Sequence, residues 1–209
     1  MKKMTLYALG RLNSSVQHCT KHQHKSIFYW LTVAFNSVNE ERRKQLGPDI
    51  SCAEWLLRNG AFVKWKDSPE EITDYNALPT TYANYKIEVV NAIDAGISYV
   101  GFPHFEGCKH IKTIKLDNCR YINDKAISML PILESSLTQV LLLNLKNITD
   151  DGLRELKNLK NLEEIDLQGL SYVENLEAVC AEIKAALPKS NAPYFSPQLK
   201  STPKLIVSL

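Results

Sequence analysis

The chain lacks a continuous apolar run of the roughly 20 residues that a membrane-spanning helix needs. The most apolar stretch, Ile27 to Phe35, is interrupted by Tyr29 and Thr32 and soon reaches the charged residue Glu40. Any association with a membrane is therefore expected to be peripheral.

The chain also lacks the short motifs that mark common catalytic sites. It has no P-loop, no G-x-S-x-G and no H-E-x-x-H sequence, and its eight glycines form no phosphate-binding loop. His104 and His110 lie near Glu106 and Cys108 in sequence, but nothing around them indicates a catalytic centre, so structural roles are favoured. We therefore expect a protein that is not an enzyme and has no catalytic residues.

A strong excess of one charge is absent as well. The 25 basic and 23 acidic side chains give a net charge of +2, so nucleic acid is not expected as a ligand. Cysteine is scarce, and its five copies are odd in number, scattered and without a C-x-x-C pair. This usage is typical of free thiols in a reducing compartment.

Acidic residues are missing from the first 39 positions, where five lysines and arginines lie among serines and small apolar residues. This composition is typical of a mitochondrial transit peptide. We therefore predict a transit peptide over residues 1–25 and a mitochondrial location. The segment His18–His24 is rich in imidazole and includes Cys19, but no second ligand cluster would complete a metal site, so metal binding there is not favoured.

Apolar residues at spacings of three and four predict an N-terminal helical module over residues 26–80. A first helix is expected from Ile27 to Gln45, ended by Gly47-Pro48. A second is expected to begin with a capping box formed by Ser51 and Glu54. The aromatic residues of these helices are predicted to form the core of the module, with partner binding as the alternative. They are Trp30, Phe35 and Trp55.

The C-terminal half of the chain repeats itself. Ten positions between Ile111 and Leu133 have matching counterparts 26 residues later, and a third repeat begins at Leu162 with an offset of 25. The pattern is that of the cysteine-containing leucine-rich repeat. We therefore predict an α/β fold in which a short leucine-rich-repeat solenoid, residues 81–188, follows the helical module. Residues 189–209 are predicted to be a flexible tail.

Each repeat is expected to contain a strand with buried leucines, a turn and a returning helix. Cys119 is predicted to be a buried turn residue, and Asp124 and Asp150 are predicted to cap the helices that follow them. Upstream of the repeats, Lys86–Asn91 and Ile97–Phe102 are predicted to be two further strands.

Residues that alternate with the buried leucines should share the other face of the sheet. Apolar side chains with a charged rim are typical of partner-binding sites, and two leucines lie there among charged residues. The alternative is that the C-terminal tail or a helix covers these leucines. The predicted partner-binding residues are Lys115, Leu141, Leu143, Glu164 and Asp166.

Seven short motifs between residue 27 and Pro188 match one known family. They are Trp30 to Asn36, Gly47-Pro48-Asp49, Glu54-Trp55-Leu56-Leu57-Arg58-x-Gly60, Asp74-Tyr75-Asn76-x-Leu78-Pro79, Tyr85-Lys86-Ile87, Gly101-Phe102 with His104 and Glu106-Gly107, and Cys119-x-Tyr121-Ile122. On these residues the chain resembles the mitochondrial ATP synthase subunit s (coupling factor B) family, a group of distal membrane arm assembly component 2-like proteins.

The resemblance implies a matrix-side protein that is peripheral to the mitochondrial inner membrane. Its expected partners are membrane-sector or stalk subunits of ATP synthase, and its expected role is to support the coupling of proton transport to ATP synthesis. The resemblance also implies a magnesium (Mg²⁺) site at Gly60 and Ile93, where isoleucine replaces the family's hydroxyl residue. Main-chain carbonyl ligands would tolerate this replacement, whereas a hydroxyl ligand would not.

Two other functions are alternatives. The repeat region is also similar to an assembly factor for the distal membrane arm of respiratory complex I. F-box-type recognition scaffolds use the same class of repeat, but they work in the cytosol, and the basic leader argues against that location.

Overall fold

The computed structural model describes residues 27–81, 83–187 and 194–195. The predicted transit peptide, the His18–His24 segment and most of the predicted tail lie outside these residues. Those three expectations therefore stay predictions.

Three helices begin the described part of the chain. A break separates the first two of them, and Asn39 caps the start of the second. Its side chain accepts a hydrogen bond from the backbone N–H of Arg42 at 2.9 Å. The prediction of one helix through Gln45 is therefore wrong, because the chain turns before its polar half. The helices are α1 (Ile27–Asn36), α2 (Glu40–Leu46) and α3 (Pro48–Arg58).

Helix α3 begins three residues earlier than the sequence pattern predicted. Pro48 occupies its first turn, where the missing N–H of proline does no harm. Ser51 and Glu54 therefore lie inside the helix, and the predicted capping box is wrong. The carboxylate of Glu54 instead accepts two hydrogen bonds from the Arg42 guanidinium, at 2.7 and 3.1 Å.

The three aromatic residues of these helices have different environments. Trp55 is buried, and its indole N–H donates to the side-chain oxygen of Asn36 at 3.1 Å. Trp30 and Phe35 are 64% and 53% exposed, so the prediction that they belong to the core is wrong. The physical reason is that α1 is fixed to the rest of the protein through its last residue, the buried Asn36. The side-chain oxygen of Asn36 also accepts a hydrogen bond from the backbone N–H of Ser98 at 2.9 Å. The aromatic side of α1 is left at the surface.

One mixed sheet of seven strands organises the rest, in the order β2-β1-β3-β4-β5-β6-β7. β1 is antiparallel to both of its neighbours, whereas β3 to β7 are parallel. The first two strands lie within the predicted helical module and were not predicted. The strands are β1 (Phe62–Trp65), β2 (Glu71–Ile72), β3 (Ile87–Ile93), β4 (Thr113–Asp117), β5 (Gln139–Leu143), β6 (Glu164–Gln168) and β7 (Tyr194–Phe195).

The segment after β3 is helical rather than extended. Residues Tyr99–Phe105 form a 3₁₀ helix that buries Phe102 and Phe105, so the strand predicted over Ile97–Phe102 is wrong. A short apolar run cannot by itself distinguish a strand from a buried helical turn. Gly101 lies in this helix against the Trp55 indole, so closely that a Cβ atom would overlap the ring.

Strand–turn–helix units follow one another from β4 onward. Val140 pairs with Ile114 on one side and Ile165 on the other, which confirms the offsets of 26 and 25 residues. All three side chains are almost fully buried. The returning helices are α4 (Asp124–Ser128), α5 (Asp150–Arg154) and α6 (Leu176–Ala186), with 3₁₀ turns at Leu130–Leu133 and Glu155–Asn158.

Two aspartates connect successive units instead of capping helices. The Asp124 carboxylate accepts from the backbone N–H and the hydroxyl of Thr149, at 2.8 and 2.7 Å. Asp150 accepts from the backbone N–H of Glu174 at 2.8 Å. The predicted capping role is therefore wrong, since Asn123 supplies the side-chain cap of α4.

Cys119 is a buried turn residue, as predicted. Its thiol contacts the carbonyl oxygen of Ala92 at 3.4 Å, and burial raises the pKa of the thiol to about 11. Such a thiol is almost entirely protonated at neutral pH and is a poor nucleophile.

Candidate interaction surface

The residues that alternate with the buried ones in β4, β5 and β6 form a half-buried surface, here called the open face. The strand register aligns its members in three rows across the sheet, as the sequence predicted. The rows are Thr113, Gln139 and Glu164; Lys115, Leu141 and Asp166; and Asp117, Leu143 and Gln168.

The first row is a chain of side-chain hydrogen bonds. The Thr113 hydroxyl donates to Gln139 at 2.9 Å, and the amide of Gln139 donates to Glu164 at 2.6 Å. These contacts orient the Glu164 carboxylate along one side of the open face.

The second and third rows place charge around the leucines. The ammonium of Lys115 lies 3.7 Å from a carboxylate oxygen of Asp117. Both oxygens of Asp166 accept from the Gln168 amide, at 2.9 and 3.1 Å. With Glu164, the open face carries one basic and three acidic groups, a net charge of −2.

Leu141 and Leu143 lie between these charged rows and are half-buried. Ile93, on β3, is 37% exposed and pairs with Asp117, so it continues the third row beyond β4. Sequence reasoning had considered Ile93 only as a metal ligand. The signal that was missed is the alternation along β3, which places Ile93 in register with the open face.

The alternative prediction is that the C-terminal tail or a helix covers Leu141 and Leu143. Within the described residues both side chains keep some exposed surface, and β7 lies beside β6 at the edge of the sheet. Residues 196–209 lie outside the described part.

Of the two predicted magnesium ligands, Gly60 lies in the turn between α3 and β1, and Ile93 is the last residue of β3. The last pair of the β1–β3 register at this end is Phe62 with Asn91, so each predicted ligand lies two residues beyond a paired residue. Gly60 has a φ of +83°, and no heavy atom lies within 4 Å of the position that a Cβ would take. Both residues offer carbonyl oxygens, which hard cations accept together with water. The donor chemistry therefore fits a carbonyl-and-water site, but not one that needs a hydroxyl.

The described residues, 27–81, 83–187 and 194–195, were predicted from sequence to hold no catalytic centre and no membrane-spanning helix. No group of three or more His, Cys, Asp or Glu side chains there is arranged to hold a metal ion. No helix in residues 27–187 is long and apolar enough to cross a membrane.

The fold and this surface define a class: a mixed α/β protein built from repeated strand–turn–helix units, with a partly apolar, acidic open sheet face. No family model matches the chain. Curated relatives do match. The chain is 37% identical over 163 residues to human ATP synthase subunit s, mitochondrial, an alignment that covers 76% of this chain and 82% of the relative.

The mouse and cattle proteins of the same name are also similar. Mouse subunit s is 36% identical over the same shares of the two chains, 76% and 82%. The bovine alignment is 38% identical and covers 59% of this chain and 64% of the relative. The chain therefore belongs to the mitochondrial ATP synthase subunit s family.

Proposed function

We propose that this chain is a non-catalytic accessory protein of mitochondrial ATP synthase that binds membrane-sector or stalk subunits and supports the coupling of proton transport to ATP synthesis. The family membership supports the association with ATP synthase, because the relatives are named as its subunits. A peripheral position on the matrix side of the inner membrane follows from the same proposal.

The architecture that we propose is a short leucine-rich-repeat solenoid. Its support is the in-register parallel ladder of β4, β5 and β6, at the spacing of the sequence repeat. Each unit buries leucines on one side of the strand and returns through a short helix, which is how such repeats stack. An array of this kind presents an extended sheet surface to a partner.

The observation that carries the binding role is the pair Leu141 and Leu143 on an otherwise charged face. The ladder holds both leucines on rigid strands, so little conformational entropy is lost when a partner covers them. The net charge of −2 on the open face favours a partner segment with an apolar anchor between basic side chains. Binding of this kind should weaken as ionic strength rises.

Affinity purification from gently solubilised mitochondria tests the proposal. The tagged chain is compared with Leu141→Asp, which removes an apolar anchor and adds a fourth negative charge to the face. The matched control is Ile132→Asp, at a side chain that is 39% exposed in the 3₁₀ turn after α4. We expect ATP synthase subunits with the parent and the control, and at least about tenfold less with Leu141→Asp.

The other outcomes are equally informative. Equal recovery by Leu141→Asp, with unchanged thermal unfolding, would contradict the role of the open face. Complex I assembly intermediates in place of ATP synthase subunits would favour the assembly-factor alternative. Recovery of cytosolic ubiquitin-ligase components, with the tagged protein absent from mitochondria, would favour the F-box-type scaffold. That result would contradict both the predicted mitochondrial location and the proposed function.

We also propose that the carbonyl oxygens of Gly60 and Ile93 hold a magnesium ion together with water. Thermal unfolding in increasing Mg²⁺, with Ca²⁺ and matched ionic strength as references, provides a direct test. We expect a saturable rise in the melting temperature that Ile93→Thr preserves, because a carbonyl ligand does not depend on the side chain. A rise seen only in Ile93→Thr would show that a hydroxyl ligand is required.

A further inference from the structure

The last strand brings the later part of the chain next to the open face. β7 runs parallel to β6, with Phe195 paired to Ile165. Asp166, an acidic member of the open face, follows Ile165 directly in β6. Neighbouring strands lie about 4.8 Å apart, so β5 with its two leucines is about 10 Å from β7. The residues after Phe195 therefore start beside the acidic side of the open face.

These residues have a composition complementary to that of the open face. Residues 196–209 contain two lysines and no acidic side chain. Lys200 and Lys204 precede the mainly apolar run Leu205-Ile206-Val207-Ser208-Leu209, and residues 200–209 are called the basic segment here. In an extended chain, alternate residues of this run share one side, and its β-branched residues favour that conformation.

The connection is long enough for the basic segment to reach the two leucines. Nine residues separate Phe195 from Leu205. Extended, they span up to about 30 Å at about 3.3 Å per residue, three times the distance from β7 to β5. The remaining length allows the chain to turn onto the open face, and Pro197 is a residue suited to such a turn.

Charge and polarity match between the two surfaces. The open face carries Leu141 and Leu143 among one basic and three acidic groups, a net charge of −2, whereas the basic segment contributes two positive side chains. The Glu164 carboxylate is already oriented by its 2.6 Å hydrogen bond from Gln139. Contact would remove apolar surface of both partners from water and place lysines beside carboxylates.

We propose that the basic segment binds the open face of its own chain, with Leu205 and Val207 over Leu141 and Leu143 and the two lysines near Glu164 and Asp166. The segment then competes with the partner for this surface and is an autoinhibitory contact. A tethered segment has an effective concentration on the order of 1 mM, so a weak intrinsic affinity is enough to keep it bound. The competition rests on the function proposed above, whereas the docking does not.

Methyl nuclear magnetic resonance of the full chain tests the docking. The Leu141 and Leu143 methyl signals are identified by their loss in Leu141→Met and Leu143→Met. We expect both signals to shift in the double variant Leu205→Ser with Val207→Ser, which removes the apolar contacts outside the strand ladder. The matched control is Leu199→Ser, which lies before the basic segment and should leave both signals unchanged.

A synthetic peptide of residues 197–209 completes this test. Added to the double variant, it should return the Leu141 and Leu143 signals saturably towards their positions in the parent, and a peptide of the same composition in scrambled order should not. Its affinity should fall as ionic strength rises. Identical Leu141 and Leu143 signals in the parent and the double variant would overturn the proposal, as would equal shifts with the scrambled peptide.

Partner recovery separates this proposal from the function on which the competition rests. An open face that is covered nine-tenths of the time leaves about one-tenth of the chains competent, so the double variant should bind ATP synthase subunits about tenfold more tightly than the parent. Equal affinity of the two proteins would overturn the autoinhibition. Shifted Leu141 and Leu143 signals, with no ATP synthase subunits recovered by either protein, would support the docking and contradict the proposed function instead.

Discussion

The Leu142→Ala substitution tests whether alternate side chains of the repeat strands point into the core. Leu142 is fully buried and lies between Leu116 and Leu167 in the parallel ladder. Removing three buried carbon atoms lowers the free energy of unfolding by about 2.5 kcal/mol through transfer alone. The cavity between two rigid neighbouring strands should raise the loss to about 3–4 kcal/mol.

The matched variant is Leu141→Ala, one position along the same strand. Its side chain lies on the open face and is only half-buried, so its loss should stay below about 1.5 kcal/mol. Urea unfolding followed by circular dichroism measures both values, and the Leu142→Ala melting temperature should fall by about 10 °C. Equal losses in the two variants would refute the alternation of buried and open positions in β5.

Three further predictions concern other elements. Gly101→Ala should destabilise the protein by about 1–3 kcal/mol, because the new methyl group would overlap the buried indole of Trp55. The control is Gly96→Ala, which has only ordinary contacts near its Cβ position and should be nearly neutral. Thermal unfolding measures both variants. Asp124→Ala should lower stability by about 1–2 kcal/mol because two hydrogen bonds to the next unit are lost, and Asp124→Asn, which keeps an acceptor, should lose less in urea unfolding. Burial lowers the pKa of the His104 imidazole from its ordinary 6.5 to about 4 in the folded chain. The unfolded chain therefore takes up the proton first, so the free energy of unfolding should decrease as pH falls from 6.5 to 4. His104→Asn should reduce that slope, and an unchanged slope would contradict the burial of a neutral imidazole.

The repeat register could be predicted because each unit obeys two periodicities at once. Leucines recur every second residue within a strand, and the whole pattern recurs after 26 or 25 residues. Few other arrangements satisfy both, so the three rows of the open face were predicted correctly. The burial of Cys119 followed from the same pattern.

Other elements could not be read because their signals were too short or too local. The strands Phe62–Trp65 and Glu71–Ile72 are four and two residues long, and they are stabilised by pairing with β3 and with each other. Asp124 had the sequence position of a helix cap, yet its partner Thr149 is 25 residues away. A pattern within one unit does not reveal a hydrogen bond to the next.

The sequence alone determined the class of fold, the repeat spacing, the buried positions of the ladder and the family, because these depend on local periodicity and on short motifs. Only the tertiary structure decided which aromatic residues are buried, that β1 and β2 extend the repeat sheet, and that β7 pairs with β6 at its edge. Those outcomes depend on contacts between residues far apart in the chain. Their energies come from packing and desolvation, which no local pattern of residues contains.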